Sequence, residues 1–462
     1  MQSTPSFAIL TMGSGDYLGS TVRDLTLANS LHRRGFRVVI YWMMEENRDL
    51  ADPGIEHRML CHGTRYHFQR PSQLLDRWLG SLLFLLPKPL RVRSIQGKAA
   101  YVDRLLANLV RSLYAQRLPD PALAMRLRAL IDRDDISHLM VSFGTLGPLA
   151  LAAKRAAGRH FDYVLTFQGD EEFAAHAGRI GLLDEYRQRL NQSLAGSPWK
   201  AIAVSEDYVS RIVDDIQVSP ARLQVVYNGV EQKARAEAPP FAPIKALFPG
   251  LRRDVPIVLY LGRQDSEKGI DLLLYAVRLL AGRMLPMQLV ICGATAKGPS
   301  YRKVLTDLGR HLGLHIHHAG TVSAALRDAL YAHAYCVVYP SVNREPFGLV
   351  VAEAMSHGTP VLVPDYGGVA EVIRDRGRQG GLSFHTWDSG DLARQLGRLF
   401  EEPALYRELA GNARAVAARF SVDNMTDAIL AHIGLRPHPP GAGADRQAAE
   451  PADQPADQPL RA

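Results

Sequence analysis

Short apolar runs alternate with longer amphipathic stretches along most of the chain, and glycines or prolines mark the junctions. Residues 7–12 read as a buried strand. A glycine-containing segment, Gly13 to Ser20, leads into a helical period over 21–34 that stops at Gly35. A second strand covers 37–43. This βαβ opening starts a doubly wound parallel sheet. The same punctuation predicts strands at 136–143, 163–167, 201–204 and 223–227, with a helix over 149–157.

The pattern then breaks. Residues 231–254 contain Pro239, Pro240, Pro243, Pro249 and Gly250, a linker composition, so a first domain is expected over 1–230. Alternation resumes with strands at 256–261, 287–292, 315–318, 335–339 and 359–363 and a helix over 270–281, which sets a second α/β domain at 255–410. A helical pattern rich in Ala and Arg covers 402–420. From Pro437 the composition turns to Pro, Gly, Ala, Asp and Gln with PADQPADQP repeated, and 436–462 is expected to be a disordered tail.

Composition adds little to this picture. A net charge of +7 over 462 residues suits anionic ligands or an anionic membrane surface, and no nucleic-acid-binding module is recognisable. The three cysteines lie far apart in sequence, so buried thiols in a reducing cytosol are expected. There is no signal-peptide pattern and no run of about 18 apolar residues that could span a bilayer. The apolar segment 74–90, with Trp78 and Leu82 and trailing Arg91, Arg93 and Lys98, either packs on the sheet or rests peripherally on an anionic membrane.

Candidate chemistry gathers in three places. The glycine segment after the first strand has the wrong spacing for a dinucleotide fingerprint; it is a tight turn or the floor of a ligand cleft. In the second domain the first strand runs into Gly262-Arg263-Gln264-Asp265-Ser266-Glu267-Lys268-Gly269, where two cations five positions apart can straddle a diphosphate. Residues 343–365, NREPFGLVVAEAMSHGTPVLVPD, place Glu345 in a strand-to-helix loop and Glu353 two turns into a helix, with Pro346 in the first turn. The Phe347, Gly348 and Leu349 amides then open an anion-friendly helix N-terminus. On one helix the two carboxylates would stand about 12 Å apart. That fits the two ends of one long ligand and is too far for a retaining glycosidase pair, which needs roughly 5 Å. His315, His317 and His318 sit on one strand, where alternate side chains face opposite ways, so no metal site is expected there.

The GRQDSEKG loop, the YPSVNREPFGLVVAEAMSHGTPV stretch, the GGVAEVI run at 367–373 and Asn228-Gly229-Val230 together resemble the retaining glycosyltransferases of family 4. The resemblance covers most of residues 7–430. It implies a GT-B fold, two Rossmann-like doubly wound domains facing across a cleft, and a helix over 411–435 that crosses back to the first domain. Arg263 and Lys268 would hold the diphosphate of a nucleotide-sugar donor and replace the metal used by other transferases; no cofactor is expected. Glu345 would face the donor sugar and Glu353 the ribose. The Phe347, Gly348 and Leu349 amides would complete the sugar and phosphate contacts, and backbone near Thr321 and Val322 would touch the base. Of the glycine pair usual in the first loop, only Gly19 matches, beside Leu18. Gln168 stands where many members have a histidine, and Asp170 is a candidate on the acceptor side. The implied activity is sugar transfer to a sugar, polyol or lipid-linked acceptor, in the cytoplasm or on the inner face of the membrane. A nucleotide-sugar epimerase or hydrolase, or a non-catalytic nucleotide-sugar-binding protein, is the alternative. The presence of Arg263, Lys268, Glu345 and Glu353 together favours a working transferase.

Overall fold

The computed structural model describes residues 5–13, 19–43, 46–61, 121–233, 239–295 and 300–436. The apolar segment 74–90, most of the glycine loop 13–20 and the tail lie outside them. Among the described residues, strands β1 (Ser6–Thr11), β2 (Arg37–Trp42), β3 (Glu56–Met59), β4 (His138–Val141), β5 (Asp162–Phe167), β6 (Ala201–Ala203) and β7 (Leu223–Val225) form one parallel sheet in the order β3-β2-β1-β4-β5-β6-β7.

A second parallel sheet is built from β8 (Ile257–Leu261), β9 (Gln288–Cys292), β10 (Ile316–His318), β11 (Cys336–Val338) and β12 (Val361–Pro364). After a two-residue antiparallel pair, β13 (Arg374–Asp375) with β14 (Arg378–Gln379), the strand β15 (Gly381–Phe384) completes it. Its order is β10-β9-β8-β11-β12-β15. Both sheets reverse direction of growth once, between β1 and β4 and between β8 and β11. In such sheets ligands bind at that switch point, outside the carboxyl ends of the strands.

The central strands β1, β2, β4, β5, β6, β8, β9, β11 and β12 are short and almost wholly buried because helices cover both faces, which is why they read as plain apolar runs; β3, β7 and β10, at the sheet edges, are only partly buried. The helix Ile270–Leu280 shows the matching one-sided pattern, with Ile270, Leu273, Leu274, Val277 and Leu280 buried.

Two expectations change. The proline-rich stretch 231–254 is not plain linker: Ala242–Leu247 is a helix, and Ile244, Phe248 and Leu251 are buried. It docks on the helix Ala324–His333, where the His333 ring lies edge-on to Phe241 at 5.3 Å and its Nε2 is 2.6 Å from the Pro239 carbonyl. Its Pro243 falls in the first turn, where proline is tolerated. The helical pattern 402–420 resolves into Pro403–Ala417, packed on the second sheet's helices, and a 3-10 turn Ala418–Phe420. Only then does the chain return: Val230 N–H donates to Phe420 O at 2.8 Å, and the helix Val422–His432 packs on Gly19–Arg33 of the first unit. Buried Arg34 ties down that helix through Asp423 at 2.8 Å and through Asp427. Among the described residues, no helix is long and apolar enough to cross a membrane.

Candidate active site at the facing switch points

The loops after β8 and β11 are pressed together at the second switch point. Asp265 caps the 3-10 turn Ser266–Lys268 by accepting from Glu267 N–H at 3.1 Å. Gly269 closes the turn in the left-handed region, φ +59°, and a Cβ there would stand 2.2 Å from the Pro340 carbonyl oxygen. Glycine is required for this contact. The Val342 N–H donates to Glu267 O at 3.0 Å, joining the two loops again.

This apposition brings Lys268 to Glu345. They form an ion pair with side chains only 11% and 14% exposed. The Ser341 hydroxyl donates to Glu345 Oε1 at 3.0 Å, and the Lys268 ammonium lies 5.6 Å from the centre of the Tyr339 ring. Burial alone would push the carboxyl up and the ammonium down. The pairing reverses both, so Glu345 is held below the usual carboxylate range and Lys268 above the usual amine range. Arg263, at the end of β8, is more open: its guanidinium is 3.5 Å from Asp265 and its side chain about one-third exposed. Tyr260 OH donates to the Arg263 carbonyl at 2.5 Å and steadies the turn.

The helix after β11 starts later than its sequence suggests. It spans Leu349–Ser356, with Gly348 as N-cap at φ +86°, where a Cβ would meet Val369 at 2.8 Å. Pro346 therefore lies outside the first turn, Glu353 is the fifth helical residue, and Glu345 is not on that helix. Its direction comes from Lys268 and Ser341 rather than from a helical wheel. The Phe347 ring is buried in an aromatic cluster with Tyr227 and Phe420. Gly348 and Leu349 open the helix, whose first N–H groups have no intrahelical acceptor. Glu353 Oε2 accepts from Tyr331 OH at 2.9 Å, and Oε1 is 4.0 Å from the Arg327 guanidinium.

Gln264 knits the strand ends. Its amide donates to Gly293 O at 2.7 Å and Ala319 O at 2.9 Å, and its oxygen is 2.5 Å from His318 Nε2. That oxygen only accepts, so the His318 Nε2 carries a proton. Burial and then Arg302 push the imidazole down to about 4, which keeps it neutral. His315 and His317 pack edge to face at 4.7 Å. Among the described residues, no group of three His, Cys, Asp or Glu side chains converges in a way that could hold a metal. Thr321 and half-buried Val322 sit beyond β10, at the sheet's edge.

Across the cleft, Gly19 begins the helix Gly19–Arg33, and a Cβ on it would stand 3.6 Å from Leu349 Cδ1. Beneath it lies a buried polar cluster at the first switch point. Arg23 pairs with Asp24 at 3.2 Å, Thr11 Oγ1 donates to Asp24 at 2.7 Å, and Gln168 donates to Ser142 O at 2.8 Å and approaches Asp24 at 3.4 Å. Gln168 is thus partly committed to the protein. Asp170, a candidate for the acceptor side, is fully buried: it accepts from Thr145 N–H at 2.8 Å. Burial pushes its carboxyl up to about 7. Its place is structural, because the strand-to-helix turn folds it inward under Tyr208.

Tyr331 and Arg23–Asp24 carry no sequence signal for a site, and Gln264, Tyr339 and Ser341 lie inside the marked motifs without being singled out by them. Each gains its place from a partner on another strand or helix.

Two facing doubly wound sheets, with the loops of their switch points meeting across a cleft, define a GT-B glycosyltransferase architecture. Residues 247–416 match the family model described as "Glycosyl transferases group 1", and residues 19–233 match "Glycosyltransferase Family 4". The chain belongs to this family of glycosyltransferases. A D-inositol 3-phosphate glycosyltransferase of Gordonia bronchialis is 31% identical over 243 residues, 50% of this chain and 51% of that protein. The match thus spans about half the length of the curated relatives. Among solved structures, a glycosyltransferase of Rickettsia africae superposes with TM-score 0.66 at 16% identity, covering 93% of this chain and 97% of that one. Anabaena HepE in complex with UDP-glucose gives 0.65 at 16%, covering 93% and 99%.

Proposed function

We propose that the protein transfers a sugar, with retention at the anomeric carbon, from a nucleotide-diphosphate sugar to a sugar, polyol or lipid-linked acceptor. The observation that carries this is the buried Lys268–Glu345 pair at the β8/β11 switch point, beside Arg263 and the opening of the helix Leu349–Ser356. Arg263, Lys268 and the Phe347, Gly348 and Leu349 N–H groups supply fixed positive charge where the diphosphate leaves, and preorganised charge of that kind stabilises the transition state. They do so without a metal. Glu353, one helical turn away, takes the ribose hydroxyls, and backbone near Thr321 and Val322 takes the base.

In the reaction the bond between the anomeric carbon and the diphosphate oxygen breaks as the acceptor oxygen attacks from the same face. The acceptor's proton passes to the departing phosphate. Glu345 orients the sugar and the lysine and forms no covalent bond. Domain closure shields the centre from water. A nucleotide donor is supported by the UDP-glucose complex of Anabaena HepE, and a hydroxylated acceptor by the name of the Gordonia relative.

The test is to incubate the protein with a panel of nucleotide sugars and measure nucleotide release with and without acceptors. Acceptor-dependent release from one donor is expected. No release with any pairing of donor and acceptor would sink the reading. Release equal with and without acceptor would point to a hydrolase.

A further inference from the structure

We infer that Arg344 and Asp207 are positioning residues that make docking of the two domains and alignment of Glu345 a single event; this rests on the transferase reading of the Lys268–Glu345 site. Arg344 and Glu345 are adjacent in the loop after β11 but point to different domains. Glu345 turns inward to Lys268, whereas Arg344 reaches across the cleft to Asp207 on the short helix Glu206–Arg211 of the first unit. The contact is a two-pronged fork: Nε lies 3.0 Å from each Asp207 oxygen and Nη2 donates at 2.6 Å. Such planar pairing fixes direction as well as distance.

Four further bonds surround it. The Ser205 hydroxyl donates to Pro346 O at 2.6 Å, and Arg211 donates to Arg344 O at 2.8 Å. Glu371, on the helix Gly368–Val372, accepts from the N–H groups of Glu206 at 3.1 Å and Asp207 at 2.5 Å. The backbone on both sides of Glu345 is therefore tied to the first domain.

The same short helix also reaches the first domain's own cleft loop. Tyr208 OH donates to Glu171 at 2.6 Å and accepts from the Asp170 N–H at 2.8 Å, just after Gln168. Arg211 also pairs with Glu171 at 3.3 Å. The helix Glu206–Arg211 is thus a rigid strut between the turn carrying Gln168 and the turn carrying Glu345. If the domains part, Arg344 loses its fork and Glu345 loses one of the two anchors that set its loop. Misplacement of a reacting group by about 1 Å can cost 10²-fold in rate.

The test uses R344Q, R344K, D207N and the double variant R344Q/D207N in the full chain, each checked for cooperative thermal unfolding. R344Q and D207N should each lower kcat for transfer roughly tenfold or more. The Kd of uridine diphosphate without acceptor should stay within about threefold, since its predicted contacts remain. R344K should keep more activity than R344Q, and the double variant should be no worse than the poorer single variant, because one interaction is lost only once. Amide exchange over residues 206–211 should speed up several-fold in R344Q. Activity within twofold of wild type in both single variants, or losses that multiply in the double, would overturn the assignment. If the wild type itself releases no nucleotide from any donor, the transferase reading fails separately; unchanged exchange over 206–211 in R344Q would then still refute the strut.

Discussion

Lys268 and Glu345, 77 positions apart in the chain, form a buried ion pair where the loops after β8 and β11 meet. Removing the lysine acts on both chemistry and stability. K268A should lower kcat for transfer by about 10²- to 10³-fold, the usual loss for one preorganised charge donor. It also leaves the Glu345 carboxylate buried without a counter-charge, so burial would then raise its pKa. A folded state that holds a proton more tightly than the unfolded state loses stability as pH rises. Thermal unfolding of K268A against wild type should therefore show a larger deficit at pH 8 than at pH 5. A deficit independent of pH would argue against the pair.

Glu353 is predicted to act in binding rather than in chemistry. It accepts one hydrogen bond from Tyr331 and keeps its second oxygen 4.0 Å from Arg327. E353A should weaken nucleoside diphosphate binding roughly 10- to 100-fold, the loss expected for one or two charge-assisted bonds. Isothermal calorimetry reads this directly. An unchanged Kd would remove Glu353 from the ribose site.

Asp170 makes a pH-dependent contribution of its own. Burial, the largest cause, raises its folded-state pKa to about 7 despite the Thr145 N–H bond. Between the unfolded value near 3.9 and about 7 the folded state therefore binds more protons, and stability declines as pH climbs through that window. D170N cannot ionise and still offers an oxygen to Thr145. Its melting temperature relative to wild type should rise between pH 5 and pH 8. A relative melting temperature that stays flat or falls would show that Asp170 does not titrate there.

The returning C-terminal helix should be required for the first domain's stability. Ile429 is fully buried in one cluster with Leu27, Leu31 and Val226. I429A should cost about 2–5 kcal/mol of unfolding free energy, the range for deleting a large buried aliphatic chain. Chemical denaturation monitored by tryptophan fluorescence measures it, because Trp42 lies in the same cluster. A cost under about 1 kcal/mol would mean that the helix is only loosely attached.

Much of the architecture was readable in the chain. Buried parallel strands appear as uninterrupted apolar runs, and every predicted strand overlaps an observed one, while β3 and β15 have no predicted counterpart. The helices Leu183–Gly196 and Ser389–Glu401 do not stand out in the sequence, since their polar residues outnumber the apolar ones. The helix Leu349–Ser356 starts later than Pro346 suggests, because the left-handed Gly348 sets the boundary. The stretch 231–254 read as linker because its prolines outweigh the three apolar side chains that seat its helix.

The sequence by itself determined the two-domain α/β plan, the family and the loops carrying Arg263, Lys268, Glu345 and Glu353, because strand periodicity, glycine turns and charge type are local properties. Only the tertiary structure decided which charges pair, that Asp170 is buried, that Phe347 packs against Tyr227 and Phe420, and that Arg344 pairs with Asp207 on the other domain's helix. These depend on side chains far apart in sequence meeting in a low-dielectric interior, where the partner rather than the residue sets charge state and direction.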